Sequence, residues 1–210
     1  MDTRQTIKLL IAALGTRMIT NPPNSSLMTQ IRSSTDGRSY TIKRGVCDSI
    51  SKTNCKTFDD TQEAANLLAS VRHRMTKFVD YLYNTYKNDP KYGQDVRRLK
   101  RRFNPDAIAE GAHNKGLTTY TLNKGESINF CLRSRDSQHK LHDINTLMYV
   151  GIHEIVHLME AHQNPKHTGN FKNLWGWALK QADRIGVWQR HDYASRPVTY
   201  CGIKIGNNII

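Results

Sequence analysis

The sequence predicts an α+β protein with a small antiparallel sheet and a central apolar helix. Three observations lead to this prediction. Apolar residues recur at helical spacing over several long stretches, two short stretches alternate around turn residues, and the most apolar stretch carries histidines and a glutamate. The chain has 210 residues, which is enough for one well-buried core. We therefore expect one domain over residues 27–210, preceded by a helix and linker over residues 1–26.

The first 26 residues predict an amphipathic helix that ends in a linker. Five apolar residues lie at helical spacing between residues 3 and 19: Ile7, Leu10, Ile11, Leu14 and Met18. Asn21-Pro22-Pro23 then breaks the helix. The apolar run at residues 9–14 is far shorter than the roughly 20 residues of a membrane span, and Arg17 stands where a signal peptide needs a small residue. We expect no transmembrane segment and no secretion signal.

The next stretch predicts a small hairpin and then a long core helix. Asp36-Gly37 supplies a turn before the alternating residues 39–43. Asp60 and Glu63 have the spacing of a capping box at a helix start. One apolar stripe follows, and it ends before Asp89-Pro90. Its residues are Ala64, Leu68, Val71, Met75, Phe78, Val79, Leu82 and Tyr86.

A second, shorter helix is strongly basic. Its apolar residues are Val96, Leu99 and Phe103, and the remaining surface is covered by Arg97, Arg98, Lys100, Arg101 and Arg102. The whole chain has a formal charge of +13, which suits DNA or another polyanion as a partner. Two interpretations remain: a solvated helix face, which is the commoner use of such a charge run, and a surface that contacts phosphates.

A β-hairpin is predicted immediately before the central helix. Residues 117–122 and 127–133 alternate around a turn at residues 123–126. Ile128, Phe130 and Leu132 face one way, whereas Asn129, Cys131 and Arg133 face the other, so the sheet should have one buried side. After the central helix, Asn170 is the expected N-cap of a last helix that Gly186 ends, and residues 198–205 predict a final strand.

The four cysteines give no metal or redox motif. Cys47, Cys55, Cys131 and Cys201 contain no CxxC pair, which leaves a zinc knuckle or a thioredoxin-like site unsupported. Cys47 and Cys55 can pair in an oxidising setting. Reduced, partly buried cysteines are more common in a chain of this size and are our expectation.

The central helix, expected from about residue 143 to residue 162, carries the pattern with chemical meaning. Residues four apart lie on one helix face, so His153 and His157 can offer their imidazole nitrogens to one metal ion. Glu154, one step round the helix, can reach a metal-bound water molecule. This is the arrangement that zinc-assisted hydrolysis needs. We therefore expect the helix to bind a metal ion.

A catalytic zinc ion is held by three protein ligands and keeps one open position. His162 and His167 are the candidates for the third ligand. We favour His167, since the loop that contains Pro165 lets the chain turn back toward the metal; Asp183 is the carboxylate alternative. His139 and His142 precede the helix and are expected to be solvated or capping residues.

The motif resembles that of a known group of enzymes. His153-Glu154-x-x-His157, followed by His167-x-x-x-Phe171 and then Trp175, resembles the zinc peptidases of the WLM and SprT-like group. Residues 140–150 together with the motif are similar to metallopeptidases encoded by nucleocytoplasmic large DNA viruses. The resemblance covers residues 115–205 and implies a zincin-like domain, three histidine ligands and a glutamate base.

The resemblance also implies a setting. Cellular members of the group act on proteins crosslinked to DNA, and viral members can be packaged in the virion. The expected location is therefore the virion or the interior of the infected cell, with other virion proteins among the possible partners.

The expected activity is zinc-dependent hydrolysis of peptide bonds in a protein substrate. Glu154 would take a proton from the metal-bound water and later protonate the leaving amine. Tyr200 and Tyr193 follow the site and are candidate donors to the transition state, although packed core tyrosines are commoner. The alternative function is a structural virion or nucleoprotein component in which Zn²⁺ only stabilises the fold. Glu154 argues against it, because a structural site needs no base.

Overall fold

The α+β class is confirmed by the computed structural model, which describes residues 27–47, 55–111, 118–122, 125–161, 167 and 169–210. These residues form four α-helices: α1 (Thr61–Tyr86), α2 (Gly93–Arg102), α3 (Ile144–Met159) and α4 (Gly169–Arg184). None of the described helices is long and apolar enough to cross a membrane. The predicted N-terminal helix and its linker lie outside the described residues.

The strands are short and pair locally. β1 (Met28–Arg32) and β2 (Ser39–Lys43) form the predicted antiparallel hairpin, with Gly37 in the left-handed region at φ 70°. β3 (Gly45–Cys47) pairs with β4 (Cys55–Thr57). The N-terminal hairpin packs against α1 and lies beside β5 (Ile108–Glu110).

The sheet nearest the central helix has three strands. Its order is β5-β7-β6, with β7 (Ser127–Phe130) in the middle and β6 (Tyr120–Leu122) at one edge. The β6–β7 hairpin is antiparallel as predicted, but β5 runs parallel to β7. The predicted small antiparallel sheet is therefore extended by one parallel strand, which was not predicted because β5 has only three residues, too few to show a periodicity.

The alternation predicted for β7 holds on one side only. Ile128, Phe130 and Leu132 are fully buried as expected, yet Arg133 is only 5% exposed. Its guanidinium lies 4.2 Å above the ring of Phe58, and its Nη1 donates to both carboxylate oxygens of Asp60 at 2.5 and 2.6 Å. A charged residue on the side expected to face solvent is thus buried with a partner.

The same ion pair explains why the start of α1 differs from the prediction. Asp60 occupies the N-cap position, but its side chain makes no capping hydrogen bond. Both oxygens of the carboxylate accept from the guanidinium of Arg133, an oppositely charged partner, instead of from a main-chain N–H at the helix start. The predicted capping box is absent, whereas the predicted apolar stripe of α1 is buried from Ala64 to Leu82.

Helix α3 lies at the centre of the core. Every residue from Thr146 to Met159 is buried, and the helix contacts α1, α2 and α4. Asp143 caps its start by accepting the N–H of Thr146 at 2.9 Å. Gly151 allows close packing, since a Cβ there would lie 3.2 Å from the Phe130 ring. The helix ends at Met159, three residues earlier than predicted.

The last elements differ from prediction in detail. Helix α4 begins at Gly169, so Asn170 lies inside it and is not the N-cap; Gly186, at φ 70°, follows its end as predicted. The expected final strand is a hairpin of β8 (Val198–Tyr200) and β9 (Ile203–Ile205). Its two turn residues have positive φ values, which are the values that a tight two-residue hairpin turn requires.

The expectation of reduced cysteines was wrong. Cys47 and Cys55 lie opposite each other in the β3–β4 pair and form a disulfide. Cys131 follows β7, Cys201 lies in the turn between β8 and β9, and the two form a second disulfide across 70 residues of sequence. The fold brings this second pair together, which sequence spacing could not show.

The two disulfides should contribute unequally to stability. A crosslink restricts the unfolded chain more when the loop that it closes is longer. We expect the double variant Cys131→Ser/Cys201→Ser to lose about 4 kcal/mol of unfolding free energy and Cys47→Ser/Cys55→Ser about 2.5 kcal/mol. Urea unfolding of both variants beside the wild type measures the difference. Equal losses, or a larger loss for the shorter loop, would contradict this order.

Candidate metal centre

Two histidines and a glutamate share the buried helix α3. His153, Glu154 and His157 are 2%, 3% and 8% exposed. The fourfold spacing places both histidine rings on the same helix face, 4.8 Å apart between their centroids. Polar side chains in so apolar an environment are costly unless they bind something.

A third histidine completes the cluster. The Nε2 atom of His157 lies 3.1 Å from Nε2 of His153 and 3.1 Å from Nε2 of His167. The ligand atoms of all three residues lie within 4.8 Å of one another. Three nitrogens around a tetrahedral zinc ion would be about 3.3 Å apart, given zinc–nitrogen bonds of about 2.0–2.1 Å. The cluster therefore has the dimensions of a three-histidine metal site.

His167 reaches the cluster from an unusual backbone conformation. Its φ is 45°, in the left-handed region that residues with a Cβ rarely adopt. Such conformations are retained where the surrounding structure enforces them, and they concentrate at functional sites. His167 stands just before α4, so this local geometry turns its ring back toward α3.

The charge state of the cluster suits a cation. Burial holds the pKa of His153 well below its ordinary value, and the two neighbouring histidines lower it further. Burial and the nearby His157 lower the pKa of His167 to about 4. These two imidazoles are thus neutral at pH 7 and can present lone pairs to a metal ion.

Glu154 is held beside the cluster by a residue of the sheet. Thr121, in strand β6, donates its hydroxyl to Oε2 of Glu154 at 2.8 Å. Burial raises the pKa of Glu154 to about 7, against the opposing effects of His157 and the Thr121 hydrogen bond. The hairpin was predicted to precede the site, but the role of Thr121 was not predicted, since only the β6–β7 pairing shows which side of the strand faces α3.

Aromatic rings from α4 support the histidines. The ring of Phe171 lies 4.9 Å from that of His153, 4.5 Å from that of His157 and 4.6 Å from that of His167. Trp175, one turn later, lies 4.6 Å from the ring of His153. These contacts limit the rotation of the histidine rings and keep water away from that side of the cluster.

The two candidate tyrosines take different positions. Tyr200 is 2% exposed, its hydroxyl is hydrogen-bonded to that of Thr119, and it lines an apolar pocket together with His153. Burial raises the pKa of Tyr200, and the charge of Glu154 raises it further. Tyr193 instead packs on Tyr149, 4.6 Å between ring centroids, behind the layer that contacts the histidines.

The remaining candidates lie elsewhere. Asp183 is exposed and accepts the main-chain N–H of Arg190, so the structure brings His167 and not Asp183 to the cluster. His162 lies outside the described residues. The ring of His142 packs 4.8 Å from that of Tyr200. His139 lies beside Phe58 and lines a separate cleft together with Arg133.

Two residues of the predicted basic patch bind the C-terminal end of α3. Arg102 donates to the main-chain carbonyls of Leu158 and Glu160 at 3.0 and 2.6 Å, and Arg98 donates to that of Met159. The carbonyl end of a helix carries partial negative charge, which these guanidinium groups neutralise.

The other three residues of the patch lie further from α3. Lys100 pairs with Asp80 at 2.6 Å, Arg97 donates to the carbonyl of Lys87, and Arg101 is exposed. Much of the predicted patch thus serves the fold, and contact with DNA or another polyanion stays a prediction.

Fold and site together define an α+β protein with a cluster of two buried histidines and one half-buried histidine whose spacing suits a metal ion. The chain is 26% identical over 204 residues to an uncharacterized protein of Acanthamoeba polyphaga mimivirus, and the match covers 97% of this chain and 95% of that protein. This similarity indicates an origin in a large DNA virus. No protein-family model matches the chain, and no solved structure matches it.

The ligand set can be tested by metal content. We expect one zinc ion per wild-type chain and a severe loss of affinity in His153→Ala, His157→Ala and His167→Ala. The loss should exceed the roughly 10–100-fold that follows removal of an outer partner of a ligand. Elemental analysis and chelator competition measure both quantities. Asp183→Asn and His142→Ala serve as controls that keep their zinc; full retention in His167→Ala would contradict the assignment.

The burial of Glu154 should be visible in the stability of the metal-free protein. With a pKa of about 7 in the folded state and an ordinary value of 4.5, the folded protein binds more protons than the unfolded protein between these pH values. The resulting stabilisation is full below pH 4.5 and is lost as the pH rises through 7.

Glu154→Gln removes this dependence but keeps an oxygen for Thr121. Relative to wild type, the variant should gain about 3 kcal/mol of unfolding free energy between about pH 4.5 and pH 8, at about 1.4 kcal/mol for each unit of pKa. Urea unfolding of both proteins in the presence of a chelator measures this gain. A difference that does not change with pH would refute the expectation.

Proposed function

We propose that the protein is a zinc-dependent metallopeptidase of the HExxH type that hydrolyses peptide bonds of protein substrates. One observation carries the proposal: three histidine nitrogens converge beside a buried glutamate that is adjacent in sequence to one of the ligands. A site that only stabilises a fold needs no carboxylate at this position, whereas hydrolysis needs a base there.

The three histidines would hold the ion and leave one position open. When bound there, zinc supplies Lewis acidity that activates water and polarises a carbonyl group. Glu154 has the position and the proton affinity to remove a proton from the attacking water and to return it to the leaving amine. A base with a pKa near 7 works efficiently near neutral pH.

Tyr200 is the candidate donor to the developing oxyanion. It is near enough to Glu154 for that carboxylate to raise its pKa, and burial keeps its hydroxyl protonated. A preorganised O–H in a site that excludes water stabilises negative charge that develops in the transition state. Tyr193 lies behind Tyr149, so we assign it to packing.

The position of strand β6 supports the proposal that the substrate is a polypeptide. It lies at the edge of its three-stranded sheet, and it also contributes Thr121, which binds Glu154. An extended peptide that pairs with such an edge gains main-chain hydrogen bonds and brings its carbonyl groups close to the catalytic carboxylate. The substrate would then be recognised first by its backbone.

The relationship suggested by the motif agrees with this assignment. A zincin-like domain of the WLM and SprT-like group would place the HExxH helix beside an edge strand, with the third histidine ahead of a helix that carries Phe171 and Trp175. The similarity to a mimivirus protein supports an origin in a large DNA virus. Action in the virion or in the infected cell is part of our proposal.

The decisive variant is Glu154→Gln. It should retain zinc, because Glu154 is not a ligand, while peptide hydrolysis falls by about 10²–10⁴-fold through loss of the base. Zinc content and cleavage of an unfolded protein such as casein are measured on the same preparation, with Glu63→Gln, an exposed change of equal charge, as the control. Undiminished cleavage by Glu154→Gln would exclude the mechanism.

The same assay distinguishes the proposed peptidase from the alternative function. If the wild-type protein binds zinc and cleaves none of the proteins offered, the zinc site serves stability and the chain is a structural virion or nucleoprotein component. In that case chelation should lower the melting temperature without the loss of any activity.

A further inference from the structure

We infer that Glu160 is a positioning residue of the zinc centre, whose carboxylate accepts the Nδ1 proton of His157 and thereby fixes that ligand. The inference rests on the proposed zinc site but concerns a residue outside the ligand set. It follows from two buried atoms that face each other, each lacking a hydrogen-bond partner among the described residues.

The first of these atoms is Nδ1 of His157. Its ring presents Nε2 to the other two histidines, so Nδ1 points away from the cluster. A neutral imidazole whose Nε2 lone pair binds a metal must carry its proton on Nδ1. That N–H group is buried and needs an acceptor, and histidines that bind metals almost always have one.

The second atom is Oε2 of Glu160, which is buried and lies 3.8 Å from Nδ1 of His157. This distance is longer than a hydrogen bond, so the inferred contact requires the two atoms to approach each other by about 1 Å. Since one atom is a donor and the other an acceptor, a single movement would satisfy both. The i,i+3 spacing places Glu160 one turn beyond His157 on the same side of the chain.

Glu160 is not itself positioned as a metal ligand. The ligand atoms that converge among the described residues belong to His153, His157 and His167. Glu160 approaches His157 from the opposite nitrogen, so the imidazole ring separates its carboxylate from the metal position. A carboxylate in this place orients the ring and increases its basicity without occupying a coordination position.

Three hydrogen bonds fix the backbone of Glu160 and of the residue before it. Its N–H donates to the carbonyl of Val156 at 3.2 Å, and its own carbonyl accepts from Arg102 at 2.6 Å. Arg98 holds the carbonyl of the preceding residue, Met159. Because α2 anchors this segment, the side chain of Glu160 starts from a defined point immediately after α3 ends.

Zinc affinity in a graded series of variants tests the role. We expect Glu160→Ala to lower affinity about 10–100-fold, as is typical when the partner of a ligand is removed. Glu160→Gln keeps an acceptor oxygen without the charge and should lose only a fraction of that. Glu63→Gln, at an exposed position, should bind zinc like the wild type. Competition with a chromophoric chelator gives the constants, and the cobalt absorption spectrum reports ligand geometry.

A second measurement does not depend on the stability of the alanine variant. In the zinc-loaded wild type, proton NMR should show the Nδ1–H of His157 shifted downfield by its carboxylate partner, and Glu160→Gln should move that signal upfield. An unchanged signal together with wild-type affinity in Glu160→Ala would overturn the inference. A wild-type protein that binds no zinc would overturn the proposed function instead, so the two failures are distinct.

Discussion

The burial of His153, Glu154 and His157 in the most apolar part of the core, with the half-buried His167 beside them, is the constraint on which the rest of the structure depends. Each of these groups would be better solvated at the surface, and burial moves the pKa values of His153, Glu154 and His167 toward their neutral forms. A divalent cation reverses that preference, since it gives the imidazole lone pairs a partner and favours ionised Glu154. Without a bound cation, the burial of these polar groups is therefore energetically unfavourable.

The neighbouring elements can be understood through this constraint. Helix α4 supplies aromatic rings that contact all three histidines, the β6–β7 hairpin supplies the hydroxyl that binds Glu154, and α2 supplies two guanidinium groups that hold the end of α3. The support for the rings is uneven. Nδ1 of His157 faces a carboxylate, whereas Nδ1 of His153 has no partner among the described residues and its ring lies against Phe171 and Trp175.

Features with a local signal were predicted from the sequence, whereas features that depend on distant contacts were not. The stripes of α1 and α3, the two hairpins and the HExxH spacing are readable because helix and strand periodicity repeat within a few residues. The bond from Thr121 to Glu154, the Asp60–Arg133 pair and the Cys131–Cys201 disulfide join residues 33, 73 and 70 positions apart. No local pattern encodes such contacts. The basic face of α2 shows the same limit, because Arg98 and Arg102 resemble solvated charges until α3 is packed beside them.

The disulfide between Cys131 and Cys201 has a consequence for the surroundings of the metal centre. It joins the end of β7 to the turn that directly follows Tyr200, so the hairpin that carries this tyrosine is linked to the sheet covalently as well as by packing. Sulfur–sulfur bonds form and break by thiol exchange, and the redox poise of the compartment sets the fraction that is oxidised at equilibrium. The placement of Tyr200 beside Glu154 thus responds to the oxidation history of the chain as well as to its amino-acid sequence.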